Sequence, residues 1–215
     1  PRNRVAKIFS LVVDMQSAVF CATASMALLI SEEIERRGLQ KELALKKIIF
    51  GAERHSKRMR ERIQEITGVE HMFDIPGLTE LYGPGSGLEC TAHQGVHYWA
   101  DYYILEILNP DTLEPAAPGE IGEMVVTTLR KEAAPLIRYR TRDLTRLIPG
   151  DCPCGNPLPR HDHLLGRSDD MFIFRAVNIY PGQIDHVLSH MHGVASEYQV
   201  HLSHKEDGRD QMLIK

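Results

Sequence analysis

The sequence is short of the features that mark membrane, secreted and nucleic-acid-binding proteins. Among 215 residues it has only four cysteines and one tryptophan. Its longest nearly apolar run, residues 18–30, is too short to cross a bilayer, and Asp14 interrupts what would otherwise resemble a signal peptide. The formal net charge of -4 provides no general attraction to nucleic acid or to an anionic membrane. We therefore expect a cytoplasmic protein that binds neither.

The rest of the composition is typical of a globular protein. Hydrophobic residues make up 43% and charged residues 25% of the chain. A chain of this length can bury a core as one large domain or as two small ones. Residues 6–19 already have the apolar spacing of an embedded element, and residues 211–215 resemble a strand. We expect these residues to be a fragment of a longer protein.

Helices and strands alternate through residues 1–88. Ser25 and Ser56 are the predicted N-caps of two helices, which Gly38 and Gly68 end. Short β-rich runs lie between and after these helices. Alternation of this kind predicts a mainly parallel sheet with helices packed on it. We interpret this part as a partial α/β nucleotide-binding subdomain.

A glycine-rich stretch, residues 74–90, follows the last of these strands. Glycines allow the backbone to approach a ligand closely, and Thr79 and Glu80 add a hydroxyl and a carboxylate. Ligands of open sheets bind where strands of this kind end. A plain connecting loop is the alternative interpretation.

The pattern then changes to short strands separated by turns. Residues 89–165 are predicted to form an antiparallel, barrel-like β subdomain, with separate strands at 136–139 and 144–148. Residues 166–215 are predicted to be a hinge followed by a βαββ domain, whose helix spans residues 181–192.

Charged residues crowd two positions of this second half. Residues 138–143 contain three arginines and Asp143, which suit phosphate groups and ribose hydroxyls. Residues 166–170 add Arg167 and two aspartates. The alternatives are a solvated edge strand for the first group and a linker for the second.

Three cysteines and a histidine have the composition of a structural zinc site. Cys152 and Cys154 form a tight pair, and Cys90 and His97 fall in the segment expected to pack beside it. A turn without metal is the alternative, and Cys21 is predicted to be a core residue. The competing histidine ligands are His93, His161 and His163.

Short motifs follow one another in order at residues 51–53, 74–80, 83–85, 89–90, 119–123, 127–129, 135–145, 166–170 and 177–181. Together they resemble the phenylacetate-CoA ligase family of adenylate-forming acyl-CoA synthetases, over the C-terminal half of the family chain. The resemblance implies that a carboxylic acid attacks ATP to give an acyl-adenylate and pyrophosphate, and that CoA then displaces AMP. The implied ligands are ATP or AMP, Mg²⁺, CoA and an aromatic carboxylic acid.

The resemblance also implies roles for individual residues. Thr79 and Glu80 are expected at the phosphates as catalytic residues, with Glu80 on Mg²⁺. Asp143 is expected at the ribose and Arg167 at the nucleotide, while Asp169 or Asp170 is the expected hinge. The remaining nucleotide-binding residues are Gly51, Ala52 and Glu53, which line the adenine, and Asp74.

Two positions depart from the family pattern. Pro76 stands where the family usually has a tyrosine that stacks on adenine, so this contact is lost or is supplied by Phe73 or Tyr82. Ala176 stands where a glycine usually lies against the pantetheine arm of CoA. We find no phosphate-binding loop and assign no catalytic lysine, so we expect the chain alone to be inactive. A zinc-stabilised binding or regulatory module, and adenylyl transfer to an acceptor other than CoA, are the alternative functions. A homodimer is compatible with the sequence.

Overall fold

The computed structural model describes residues 2–53, 55–170, 172–174, 177–189, 191, 194, 198–204 and 210–215. Among the described helices, none combines the length and the apolar character that crossing a membrane requires. The first part of the chain alternates between helices and strands, as predicted. Its elements are α1 (Arg2–Val13), β1 (Val19–Ala22), α2 (Ala24–Arg37), a short 3-10 helix (Gln40–Glu42), β2 (Lys47–Phe50), α3 (Lys57–Thr67) and β3 (His71–Asp74).

The three strands form a parallel sheet in the order β1-β2-β3. Helices α2 and α3 pack on this sheet, and Ile48, Phe50 and Ile63 are fully buried between the layers. Because β2 and β3 are parallel, their carboxyl ends meet at one edge, where Phe50 and Asp74 are register partners. The predicted parallel α/β layer is confirmed.

The ends of α3 follow the predicted chemistry, whereas the start of α2 does not. Ser56 Oγ accepts a hydrogen bond of 3.1 Å from the Met59 backbone N–H, and Gly68 ends the helix with a left-handed φ of 69°. Helix α2, in contrast, is capped by Thr23, whose Oγ1 accepts from the Met26 N–H. The predicted cap at Ser25 is wrong because Ser25 already lies in the first helical turn.

The middle part is built from short antiparallel strands. Two four-stranded sheets have the orders β13-β10-β9-β8 and β11-β12-β7-β6, and β4 and β5 form a separate small hairpin. The strands are β4 (Gly77–Leu78), β5 (Gly83–Pro84), β6 (Gly87–Glu89), β7 (Val96–Tyr98), β8 (Tyr103–Leu108), β9 (Gly122–Thr128), β10 (Tyr139–Thr145), β11 (Leu147–Ile148), β12 (Arg160–His161) and β13 (Gly166–Arg167).

Strand β10 differs from the prediction of separate strands at residues 136–139 and 144–148. It is one strand that buries Thr141, Asp143 and Thr145, while its arginines are only half-buried. A bulge interrupts its pairing with β9, and Arg142 has a left-handed φ of 70° there. Apolar periodicity missed this strand because its buried positions are polar.

The last part contains two hairpins and a helix. Its elements are β14 (Phe172–Phe174), β15 (Val177–Ile179), α4 (Pro181–Ser189), β16 (Val200–His204) and β17 (Asp210–Ile214). Strand β15 was not predicted; it pairs with β14, and β16 pairs with β17. The departure at Ala176, and the predicted helix end at residues 190 and 192, lie outside the described residues.

The connection to this last part is fixed up to Ser168. Strand β13 pairs with β10, and the Ser168 backbone N–H donates to the Arg142 carbonyl at 2.7 Å. Ser168 Oγ also lies 3.2 Å from Oε2 of the buried Glu123. Strand β6 spans the predicted limit at 88/89, and β13, which begins at the predicted limit at 165/166, pairs with β10 of the middle part. The domain limits stay predictions.

Candidate functional site

A cavity of about 860 Å³ opens where the carboxyl edge of the parallel sheet faces β10 and β13. We call it the central cavity. Pro181 and Asp170 add a wall from the last part of the chain. Five of the predicted nucleotide-binding residues line it together: Ala52, Glu53, Asp74, Asp143 and Arg167.

The parallel pairing explains why the first three of these residues meet. Residues 51–53 follow β2 and Asp74 ends β3, so both segments leave the same edge of the sheet. Gly51 packs against Ile75, where an added Cβ would lie 3.3 Å from Ile75 Cγ2. Gly51 thus brings the two segments together without itself being part of the cavity wall.

Asp143 and Arg167 form the opposite wall. They are register partners, and the Arg167 side chain also makes two 2.9 Å hydrogen bonds to the carboxylate of Asp169. Burial raises the pKa of Asp143 and nearby negative charges add to this effect, although the Arg167 guanidinium opposes it. A buried carboxylate that lines the cavity next to a guanidinium can accept hydrogen bonds from hydroxyl groups, as a ribose site requires.

Thr79 and Glu80 lie apart from this wall, in the exposed turn between β4 and β5. Leu78, which precedes them, does line the central cavity. The Lys131 side chain donates a hydrogen bond to the Glu80 backbone carbonyl. This hydrogen bond does not involve the Glu80 carboxylate. The turn therefore lies at the rim of the cavity.

The aromatic residues expected to replace a stacking tyrosine at position 76 are engaged elsewhere. The Phe73 ring stacks on His93 with centroids 5.6 Å apart, and the Tyr82 ring meets Tyr102 edge to face at 5.5 Å. Pro76 itself lines the central cavity, and neither of these rings does. Of the two predicted alternatives, loss of the stacking contact or its supply by Phe73 or Tyr82, the structure favours loss.

Sequence reasoning missed a polar network behind the cavity. His163 Nδ1 lies 3.0 Å from Asp74 Oδ2, and His163 Nε2 lies 3.6 Å from Glu89 Oε1. The His163–Asp74 contact joins residues 89 positions apart, which no local pattern could reveal. The sequence suggests His163 only as a competing zinc ligand.

Glu89 is the buried centre of this network, with its side chain fully hidden from solvent. Its carboxylate accepts two hydrogen bonds from Arg60, one from the Asp74 backbone N–H at 2.7 Å, and contacts His93 Nδ1 at 2.9 Å. Burial alone would raise the pKa of Glu89, but Arg60 and the histidines outweigh it and lower the pKa. Glu89 is thus an anion that joins α3, β3 and β6.

The predicted metal ligands converge on a second site, which we call the Cys/His cluster. Cys90 Sγ and Cys152 Sγ are 3.6 Å apart, and Cys154 Sγ lies 3.4 Å from His97 Nε2. All four ligand atoms lie within 4.8 Å of one another. Ligands of a tetrahedral zinc ion, bound at about 2.0–2.3 Å, are separated by roughly 3.3–3.8 Å. The donor set and these two short separations therefore fit Zn²⁺.

His97 is oriented for this cluster by the backbone. Its Nδ1 bonds the Leu158 carbonyl at 2.8 Å, which assigns the proton to Nδ1 and leaves Nε2 as a lone-pair donor. The competing histidines are engaged elsewhere: His161 Nδ1 contacts the Asp162 carbonyl, His163 contacts Asp74, and His93 contacts Glu89.

The thiols of the cluster differ in acidity. Burial opposes ionisation of Cys152, but hydrogen bonds from the backbone and side chain of Cys154 lower the pKa of Cys152 to about 6. Burial and the neighbouring thiols raise the pKa of Cys90 to about 11. Cys21 is exposed because it lies on the edge strand β1, so its predicted place in the core is wrong.

Comparison with known proteins agrees with this geometry. Residues 176–215 match the family described as AMP-binding enzyme C-terminal domain. The phenylacetate-coenzyme A ligases of Thermus thermophilus and Pseudomonas putida are 42% and 40% identical to the chain, over 88% and 93% of it. These matches span only 43% and 45% of the two ligases, so the chain covers less than half the length of these relatives.

Solved structures give the same result. The fold superposes on 2-hydroxyisobutyryl-CoA ligase in the postadenylation state, in complex with R3-HIB-AMP, with a TM-score of 0.86 and 27% identity. That match covers all of this chain and 46% of the ligase chain. The same ligase in the thioesterification state, with 2-HIB-AMP and CoA, matches with a TM-score of 0.71 and 27% identity.

The fold is therefore that of adenylate-forming CoA ligases, over the C-terminal part of such a chain. Within that class the chain is a relative of the phenylacetate-CoA ligase family and matches the C-terminal half of the family chain. The family resemblance found in the sequence is confirmed.

Proposed function

We propose that this chain provides the nucleotide-binding half of an AMP-forming acid–CoA ligase that acts on an aromatic carboxylic acid. The main support for this proposal is that Asp74, Asp143 and Arg167 line one cavity together with residues 52 and 53. The relatives are named as ligases that join an acid to CoA. The similar solved structures contain R3-HIB-AMP, or 2-HIB-AMP with CoA. Both observations support an acid–CoA ligase reaction.

The reaction has two balanced steps. A carboxylate oxygen of the acid attacks the α-phosphorus of ATP, the bond to the β-phosphate oxygen breaks, and pyrophosphate leaves. The sulfur of CoA then attacks the acyl carbon, AMP leaves with the electron pair of the acyl–oxygen bond, and the thiol proton passes to solvent. In this scheme Asp143 accepts hydrogen bonds from the ribose hydroxyls. Residues 51–53 and Asp74 contact the base.

The phosphates are assigned to the rim of the central cavity. The exposed turn that carries Thr79 and Glu80 offers a hydroxyl and a carboxylate there. Mg²⁺ binds through one or two carboxylates together with phosphate oxygens, so a single carboxylate at this place fits its requirements. When bound, Mg²⁺ would neutralise charge that develops on the phosphates.

A chimera tests this proposal. The segments of the P. putida ligase on both sides of the matched region are joined to this chain, so that the phosphate-binding loop and the lysine are both supplied. Acid-dependent release of pyrophosphate is then measured with phenylacetate and with acetate. We expect release with phenylacetate and CoA thioester formation when CoA is added. No release from a folded chimera, under conditions where the P. putida enzyme turns over, would overturn the proposal, and AMP release without a CoA thioester would indicate another acceptor.

We also propose that the Cys/His cluster holds one structural Zn²⁺. Four protein ligands close the coordination sphere, so the site leaves no open position for catalysis. The metal would tie the loop at residues 152–154 to β7 and to Cys90, which directly follows β6. Its support is the convergence of four ligand atoms within 4.8 Å.

Metal analysis of the purified chain tests the zinc site. We expect about one zinc per chain, as for other four-ligand sites, and substantial loss of zinc in Cys90→Ser and in Cys154→Ser. Cys21→Ser is the matched control, because that cysteine is exposed and lies outside the cluster. Absence of stoichiometric zinc in the unsubstituted chain would refute the site. Cytoplasmic location and a homodimer stay predictions from the sequence.

A further inference from the structure

The imidazole of His163 lies between two carboxylates from different parts of the chain. Its Nδ1 is 3.0 Å from Oδ2 of Asp74, at the end of β3, and its Nε2 is 3.6 Å from Oε1 of Glu89, at the end of β6. His163 itself lies between β12 and β13 and lines the central cavity. The imidazole of His163 thus contacts residues of the parallel sheet and of an antiparallel sheet, and it also lines the central cavity.

This arrangement favours the doubly protonated ring. A neutral imidazole has one N–H donor, whereas imidazolium has two and can face both carboxylates. The hydrogen bond to Asp74 raises the pKa of His163, and the negative charge of Glu89 adds to it while burial opposes it. Arg60 and His93 share the Glu89 carboxylate, and His55 lies close enough to sense the charge of His163.

The contacts restrain Asp74 from two sides. Its backbone N–H donates to Glu89 Oε2 at 2.7 Å, and its Oδ2 is held by His163. Within the described residues, no hydrogen bond to Asp74 Oδ1 is found. The Asp74 side chain is 16% exposed and lines the central cavity, so Oδ1 is the oxygen left for a ligand.

We propose that His163 is a positioning residue for the nucleotide base. It holds Asp74 with Oδ1 directed at the exocyclic amino group of adenine, so that this carboxylate distinguishes adenine from a purine that carries an oxo group there. The inference rests on the proposed function, which puts the base beside Asp74 and residues 51–53. It adds a residue from a distant segment that makes no contact with the base.

The position of His163 in the chain strengthens the argument. Four residues later, Arg167 faces Asp143, the carboxylate assigned to the ribose. The intervening backbone is fixed by pairing of Leu144 with Gly166 and by the Leu165 N–H, which donates to the Leu144 carbonyl at 2.8 Å. A single short segment therefore supports the carboxylates at both ends of the nucleoside.

Base discrimination tests the proposal. Binding of AMP and of IMP, which has an oxo group in place of the amino group, is measured calorimetrically for the chain and for His163→Leu and His163→Gln. We expect AMP affinity to fall roughly tenfold in His163→Leu, the effect of losing one charge-assisted hydrogen bond, with little change for IMP. His163→Gln, which can still donate to Asp74, is expected to retain part of the preference.

His93→Gln is the matched control. His93 contacts the same Glu89 carboxylate but does not line the central cavity, so its loss should leave the preference for AMP unchanged. In Asp74→Asn, adding His163→Leu should have no further effect on the ratio of affinities, because the two residues act through one contact.

The outcomes separate the two proposals. An unsubstituted chain that binds neither nucleotide would overturn the nucleotide site itself, and the positioning role with it. A chain that prefers AMP, and keeps this preference in both folded His163 variants, would overturn only the positioning role. Equal losses of AMP and IMP affinity would assign His163 a purely structural role and would also refute the inference.

Discussion

Arg167 Nη1 lies 3.6 Å from Asp143 Oδ1, while the same guanidinium makes two closer hydrogen bonds to Asp169. Asp143 is therefore close to a positive charge without being fully engaged by it. The Asp143 carboxylate faces the central cavity. It can therefore still accept hydrogen bonds from the hydroxyl groups of a ligand.

Removing the charge of Asp143 is expected to weaken nucleotide binding through the ribose. Asp143→Asn should lower AMP affinity about tenfold, because a charged acceptor forms stronger hydrogen bonds to hydroxyls than an amide does. The dideoxyribose analogue of AMP lacks those hydroxyls, so its affinity should change little. Calorimetric titration of both nucleotides measures the difference.

Glu106→Gln is the control for this prediction. Glu106 also pairs with an arginine, Arg138, but it does not line the central cavity. Equal weakening of AMP and of its dideoxy analogue by Asp143→Asn would contradict a role at the ribose.

Truncating Glu89 is expected to destabilise the fold severely. Glu89→Ala would leave the Arg60 guanidinium, which is only 19% exposed, without its buried partner. Breaking a buried pair of this kind costs about 3–5 kcal/mol. Denaturant unfolding measures the loss, and Glu61→Ala, which removes an exposed partner of Lys57, should have a much smaller effect. Similar losses in the two variants would refute the central role of Glu89.

The contribution of His163 to stability should depend on pH. Its pKa is raised in the folded state, so its contribution is complete below the unfolded pKa of about 6.5 and disappears as pH rises through the folded value. The difference in unfolding free energy between the chain and His163→Gln should therefore be larger near pH 6 than near pH 9. Unfolding titrations at the two pH values measure it, and a difference that grows with pH would contradict the prediction.

Gly77→Ala is expected to disturb the turn that carries Thr79 and Glu80. A Cβ at position 77 would lie 2.6 Å from the Pro84 Cα, so β4 and β5 would have to separate. We expect a loss of about 1–3 kcal/mol in unfolding free energy, as for other overpacked sites. Gly119→Ala provides the comparison: its φ of +83° is unfavourable, but its added Cβ meets nothing within 4 Å. Tolerance of Gly77→Ala would contradict the close approach.

Local chemistry made parts of the fold predictable from sequence. Ser56 and Gly68 delimit α3 as predicted, because caps depend on a few adjacent residues. Strand β10 was divided in the prediction, because it buries threonines and Asp143 in place of apolar side chains. The cap of α2 was misplaced by two residues since both Thr23 and Ser25 have suitable hydroxyls.

The candidate site was also predictable only in part. The motif residues Asp74, Asp143 and Arg167 were found in the sequence, and the fold brings them to one cavity. The family resemblance carried that prediction, whereas His163 was missed because its partner is 89 positions away. The four residues of the Cys/His cluster were also identified as candidate ligands, but which histidine joined the cysteines depended on β7 facing the loop at residues 152–154.

The anchoring of Ser168 limits where the last part of the chain can pivot. Rotation about a backbone bond before Ser168 would break the hydrogen bond from Ser168 to the Arg142 carbonyl and its contact with Glu123. Torsions at Asp169 and Asp170 would leave both contacts intact. Yet Asp169 is also the bidentate partner of Arg167, so a large turn at that residue would release the guanidinium. Domain rotation and the charge facing Asp143 would then change in a single event.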